Sequence, residues 1–190
     1  MVAVAGILLA AGAGRRYGMP KALVTYDGGL LVEHGLATLR DGGAEPLIVV
    51  LGAQHDEVLA RADLAGANVV VNADWDTGMG SSLRTGLGAL SESAADAAAI
   101  LLVDTPGITP AAVRRIIERG APAALVAATY GGELGHPVLL GRDHWPGVIQ
   151  AAIGDRGARP YLRAHRDLVA FVPCDDVASG EDLDTPPEAG

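Results

Sequence analysis

Residue types able to do chemistry crowd into one early stretch, Leu9-Ala10-Ala11-Gly12-Ala13-Gly14-Arg15-Arg16-Tyr17-Gly18-Met19-Pro20-Lys21. Ala10 to Gly14 are small enough for the backbone to bend tightly and approach a ligand closely. Arg15, Arg16 and Lys21 follow at once. Free backbone N–H groups and cationic side chains converging on one point suit a phosphate. Of the 14 lysines and arginines, Lys21 is the only lysine. Arginine is a rigid fork, whereas lysine is a compact point charge with three rotatable donors. Lysine kept at this one position marks a role that arginine does not fill; an accident of arginine-rich composition is the plain alternative.

A second candidate is Asp104. The run Ala97 to Val103 is the most uniformly apolar in the chain and reads as a buried strand that ends in Asp104-Thr105-Pro106-Gly107. An acid ending a central strand of an open α/β sheet lies at the ligand edge. There it can hold Mg²⁺, which takes oxygen ligands and keeps several waters. The alternative is an Asx turn with the backbone that follows. Ser81 and Ser82 end a polar, glycine-rich stretch, just ahead of Leu83, Leu87 and Leu90 at helical spacing. They are placed to cap a helix N-terminus or to face a ligand at the same edge. His136 precedes Pro137 and has no carboxylate at hand to make it a base, so it reads as a structural or substrate-facing donor. Gly154-Asp155-Arg156-Gly157-Ala158-Arg159-Pro160 reads either as a cradle for an anionic acceptor or as a solvated loop.

The elements that must position these residues alternate. Val2–Leu9, Pro46–Leu51, Asn68–Val71, Ala97–Val103, Ala123–Thr129 and Asp167–Pro173 read as strands. Helical patterns lie between them, over Leu30–Arg40, His55–Asp63, Leu83–Leu90, Thr109–Gly120 and Asp143–Ile153. Buried strands alternating with helices predict a parallel sheet covered on both faces. Tyr130-Gly131-Gly132-Glu133 reads as a hairpin turn into His136–Leu140, which gives the second half of the sheet an antiparallel part.

The 190 residues set an expectation of one domain over 1–190. Aromatic residues make up only 4%, so the core must be aliphatic. The net charge of −9 argues against nucleic acid or an anionic membrane as partner. The N-terminal apolar run has no basic residue ahead of it, and its arginines follow it, which is the wrong order for a leader. A cytoplasmic protein is expected. Cys174, the one cysteine, excludes an internal disulfide and reads as a small buried apolar residue. The last residues of the acidic tail are expected to be disordered.

Taken together, the motifs resemble one family. Leu9-Ala10-Ala11-Gly12 with Arg16, Gly18 and Lys21 matches the LAxGxxxRxGxxK signature of nucleotidyltransferases, and the MobA-like group that attaches CMP or GMP to molybdopterin resembles it most. Gly78-Met79-Gly80-Ser81-Ser82-Leu83 resembles that group's base-side GMxSSL segment, and Asp104-Thr105-Pro106 its metal-binding DxP turn. Gly135-His136-Pro137, Gly154 to Arg159 and Asp182-Leu183-Asp184-Thr185-Pro186 resemble its GHP, GDxGAR and DIDTP segments. The resemblance implies a three-layer α/β/α, Rossmann-like fold with a mostly parallel, mixed sheet. It implies that Leu9, Ala10, Ala11, Gly12, Gly80 and Ser81 hold base and ribose, and that Arg16 and Lys21 bind the triphosphate. It implies Asp104 and Asp184 as Mg²⁺ ligands, and His136, Asp155 and Arg159 on the acceptor side. Two positions depart from the family pattern beside the triphosphate: Arg15 replaces a small or polar residue, and Tyr17 stands where Met is common.

The implied reaction moves CMP or GMP from an NTP to a phosphorylated acceptor such as molybdopterin and releases pyrophosphate, with a molybdoenzyme as downstream partner. Ala10-Ala11-Gly12 is similar to the cytidylyl branch, so CTP is expected ahead of GTP. Lys21 and Asp104 should then face each other across a gap wide enough for the triphosphate. Two other readings remain. Gly12-x-Gly14-x-x-x-Gly18 after a first strand also reads as a variant dinucleotide fingerprint, which points to an NADPH-dependent oxidoreductase of the nicotine-blue type. A non-catalytic nucleotide-binding chaperone for molybdenum cofactor insertion is the other.

Overall fold

The computed structural model describes residues 1–186. The expectation of disorder at the extreme C-terminus falls in part on 187–190, outside the described residues. Among the described residues, nine strands and six α-helices follow one another in the order β1 (Val4–Ala10), β2 (Thr25–Tyr26), β3 (Gly29–Leu30), α1 (Leu31–Asp41), β4 (Leu47–Leu51), α2 (His55–Arg61), β5 (Ala67–Val71), α3 (Met79–Ala89), β6 (Ala97–Leu102), α4 (Pro110–Ile117), β7 (Leu125–Tyr130), β8 (Glu133–Gly141), α5 (Trp145–Ala151), α6 (Arg159–Ala164) and β9 (Val169–Pro173).

Seven strands form one sheet in the order β5-β4-β1-β6-β8-β7-β9. Only β8 runs against its neighbours, pairing antiparallel with β6 and β7, while β1, β4, β5 and β6 pair in parallel. β1 and β4 are buried at every position, which is why they read as unbroken apolar runs. Alternation along β1 feeds two cores. Leu8 packs with Leu36, Val58, Val113 and Ile116 of α1, α2 and α4. Ile7 and Leu9 pack on the other face with Leu83, Leu87, Val148 and Leu162 of α3, α5 and α6. The result is the three-layer α/β/α arrangement with a mixed sheet. No helix among the described residues is long and apolar enough to cross a membrane.

Strand order reverses at β1. The chain passes from β1 outward to β4 and β5, then returns to place β6 on the other side of β1. The carboxyl ends of β1 and β6 therefore flank a switch point, where open α/β sheets form their ligand crevice. The glycine loop leaves one of these ends and Asp104 follows the other.

Three local features differ from the sequence reading. Residues 25–30 form a hairpin, β2 with β3, turned at Asp27 and Gly28, which have φ of 50° and 83°. Both centres of this turn type need positive φ, which Asp-Gly supplies. The stretch 154–160 is not all loop, because α6 begins at Arg159 with Pro160 in its first turn. Helix α3 begins at Met79, four residues before the first leucine of its apolar face.

Candidate active site

The loop after β1 is closed by Gly14. Its φ is 62°, and a Cβ there would lie 1.8 Å from the Met19 carbonyl oxygen, so only glycine fits. A Cβ on Gly12 would meet nothing within 4 Å. Gly12 instead borders an open chamber of about 440 Å³, together with Leu9, Arg15, Arg16, Lys21 and Asp104. Arg15 and Arg16 are exposed and form no ion pair among the described residues.

Lys21 begins the short 3-10 turn that ends this loop. Its Nζ lies 3.1 Å from Asp104 Oδ2 and 3.2 Å from Asp184 Oδ1. Burial alone would lower its pKa, but the two carboxylates outweigh burial and hold the ammonium above its ordinary 10.5. The expectation of Lys21 and Asp104 facing each other across a gap is thus corrected. They are ion-paired on one wall of the chamber, because the loop after β1 doubles back over the end of β6.

Asp104 sits on a fixed turn. Val103 N donates to Leu9 O at 3.1 Å, Thr105 Oγ1 donates to Leu102 O at 2.8 Å, and His34 of α1 bonds through Nε2 to Pro106 O at 3.0 Å. The Asx-turn alternative is not realised. Oδ2 takes Lys21, and Oδ1 is buried with no hydrogen-bond partner among the described residues. A buried carboxylate oxygen without a donor is costly unless a ligand completes it. This oxygen fits a hard divalent cation. The fit is to an open site, since no group of three or more His, Cys, Asp or Glu among the described residues is arranged around a metal. Water and phosphate oxygens would complete the shell.

The C-terminal segment returns to this turn. Ser179 N donates to Gly107 O at 3.0 Å and Leu183 N to Asp104 O at 2.7 Å. These bonds carry Asp184 to Lys21 and bring Asp182 close. Burial and the negative charges of Asp104 and Asp184 raise the Asp182 pKa above its ordinary value.

A second, narrower chamber of about 180 Å³ adjoins the first and shares Leu9, Met79, Leu102, Asp104 and Asp155 with it. Its walls include Leu134, Val138 and Leu162, and its polar groups include His136 and Arg159. Enclosure by these walls pushes the His136 imidazole down to about 4, so it is neutral at pH 7. All three acceptor-side candidates, His136, Asp155 and Arg159, line this chamber.

On the base side the residues part company. Leu9 and Gly12 line the larger chamber. Ala10 ends β1 and Ala11 follows it; both are buried, at 3% and 5% exposure, Ala11 O accepts from Ala53 N, and neither lines either chamber. Gly80 packs against α5, with Ala152 O 2.7 Å from where its Cβ would lie. Ser81 Oγ accepts from Asn72 Nδ2 at 2.7 Å and lies 2.9 Å from both Asp74 O and Gly78 O. Its hydroxyl is spent within the fold, where it braces the turn, and Ser82 rather than Ser81 borders the chamber. Neither serine is the N-cap, which is Gly78. The sequence reading passed over Trp75 and Asp76 as cavity walls. One signal was available: Trp75 is one of only two tryptophans.

The fold and this crevice define a nucleotidyltransferase domain. The chain belongs to the MobA-like NTP transferase family, whose model matches residues 6–175. Nicotine blue oxidoreductase of Paenarthrobacter nicotinovorans is 40% identical over 197 residues, covering 96% of this chain and 92% of that protein. The crystal structure of an Rv0371c homologue from Mycobacterium sp. strain JC1 is 32% identical with a TM-score of 0.83, covering 96% of this chain and 90% of that one. Rv0371c of Mycobacterium tuberculosis H37Rv in complex with manganese is 30% identical with a TM-score of 0.77, covering 90% and 88%.

Proposed function

We propose that this protein transfers a nucleotidyl group from a nucleoside triphosphate, CTP ahead of GTP, to a phosphorylated acceptor, releasing pyrophosphate in a Mg²⁺-dependent reaction. Molybdopterin is the first candidate acceptor, with a molybdoenzyme receiving the product. One observation carries the reading: Asp104, which lines both chambers, has a buried Oδ1 with no hydrogen-bond partner among the described residues. Manganese in a relative's structure supports a divalent ion.

The triphosphate takes the larger chamber and the acceptor the smaller. An acceptor phosphate oxygen attacks the α-phosphorus. That P–O bond forms as the bond to the bridging oxygen breaks, and pyrophosphate carries the electron pair away. The attacking oxygen is already anionic at pH 7, so no general base is needed, and rate comes from positioning and charge. A divalent ion held by Asp104 with Asp184 would neutralise phosphate charge. Arg16 and Lys21 stabilise the leaving pyrophosphate, Leu9 and Gly12 admit the nucleoside to the backbone, and neutral His136 with Arg159 and Asp155 orients the acceptor.

A second reading is favoured by the name of the 40% identical relative: an NADPH-dependent oxidoreductase. The loop geometry weighs against it. A dinucleotide fingerprint opens directly onto a helix whose N-terminus holds the pyrophosphate. Here the glycine loop leads to a 3-10 turn and a hairpin before α1 begins at Leu31.

A thermal-shift series with CTP, GTP, ATP and NADPH, each with and without Mg²⁺, separates the readings, because a ligand that binds the native state stabilises it by mass action. The largest shift is expected with CTP and Mg²⁺. A shift with NADPH alone, insensitive to Mg²⁺, would favour the oxidoreductase. A nucleotide shift with no turnover would leave the chaperone.

A further inference from the structure

The Lys21 ammonium occupies the position of a bridging cation. It is within hydrogen-bond distance of Asp104 Oδ2 and of Asp184 Oδ1, with 14% of its side chain exposed. One ammonium thus serves two carboxylates, and Asp104 Oδ1 has no hydrogen-bond partner among the described residues. The neighbouring Arg15 and Arg16 form no ion pair among the described residues and need no such release before meeting phosphate.

We infer that Lys21 and a divalent ion compete for the same two carboxylates, and that Lys21 gives them up only when nucleotide phosphates offer it a new anionic partner. The inference rests on reading the crevice as a metal-dependent nucleotide site. A dication arriving alone must push a partly buried ammonium off two charge-assisted hydrogen bonds and leave it beside a like charge. A dication arriving with a triphosphate does not, since the ammonium passes to the phosphates. Metal and nucleotide therefore strengthen each other's binding, and the coupling is reciprocal. Lysine suits this hand-over better than arginine. Its flexible stem swings a single point charge between two anionic sites, whereas a planar fork is made for one. The C-terminal segment need not detach in the process, because Leu183 N on Asp104 O and Ser179 N on Gly107 O hold it independently of Lys21.

Mn²⁺ binding, followed by the electron paramagnetic resonance of the free ion, tests this on the full chain. Without nucleotide, Lys21→Met is expected to bind Mn²⁺ about tenfold or more tighter than wild type, because a neighbouring like charge is gone. With CTP present it is expected to bind Mn–CTP more weakly than wild type. A residue that only supports the fold would not move the two affinities in opposite directions. Lys21→Arg, which keeps the charge, should hold Mn²⁺ alone near the wild-type level, and Lys21→Gln serves if the methionine variant does not fold by circular dichroism. Lys21→Met binding Mn²⁺ alone no more tightly than wild type would overturn the competition. Asp104→Asn separates the two levels. If it loses Mn²⁺ while Lys21→Met gains nothing, the competition alone falls. If it binds Mn²⁺ as wild type does, the metal site falls as well.

Discussion

The two chambers share Leu9, Met79, Leu102, Asp104 and Asp155 and differ in the rest of their walls. The larger is open, bordered by the glycine loop and the cations Arg15, Arg16 and Lys21. The smaller is narrower, with Leu83, Leu134, Val138 and Leu162 beside the neutral His136 imidazole, and its own cations are Arg156 and Arg159. The larger presents charge through groups that need little fit. The smaller adds aliphatic walls at close range, which reject what does not fit them. Two carboxylates, Asp104 and Asp155, stand on the wall that the chambers share.

Damage at the junction should hurt most. Asp104→Asn is expected to lower turnover by about a hundredfold or more, the scale of losing one preorganised electrostatic partner, with both substrates' reactions affected alike in steady-state kinetics. Near-normal turnover would remove the metal assignment. Arg16→Ala should damage only the larger chamber. A lost charge-assisted hydrogen bond predicts a KM for the triphosphate higher by about tenfold or more, with the acceptor KM unchanged. Leu134→Trp should do the reverse. Overfilling an apolar wall by ~1–3 kcal/mol predicts an acceptor KM raised by about tenfold, while thermal stabilisation by Mg–CTP persists. Movement of both KM values in either variant would show that the chambers are not independent.

The smallest effect expected is on stability. The His136 pKa is lowered from 6.5 to about 4 by burial. Between those values the unfolded chain binds a proton that the native protein refuses. Stability therefore falls as pH drops from 6.5 towards 4, and this contribution is constant above 6.5. Urea unfolding at pH 7 and pH 5 should show a larger difference for wild type than for His136→Gln.

What was legible in the sequence follows the same division between continuous patterns and long-range pairings. β1, β4 and β6 stood out because strands buried on both faces are unbroken apolar runs. The hairpin at 25–30 did not, since strands of two residues have no alternation to read, although Asp27-Gly28 carries the turn's chemistry. Helix α6 was hidden behind Gly157 and Pro160, and only Leu162 on it is buried. In the site, residue types were readable and directions were not. The motif around Ser81 located the turn, but only the three-dimensional course of α3 decides that Ser82 meets the cavity and Ser81 meets Asn72. Lys21 and Asp184 are 163 positions apart, and their contact depends on the C-terminal segment folding back over the β6 turn, which no local pattern encodes.

The most direct measurement is turnover of α-labelled CTP with molybdopterin and Mg²⁺, reading label in the acceptor and pyrophosphate in solution together. The account predicts that both appear in equal amounts and that both vanish on chelation of the metal or in Asp104→Asn. NADPH consumption with an electron-accepting dye, with no label transferred and no pyrophosphate released, would contradict it.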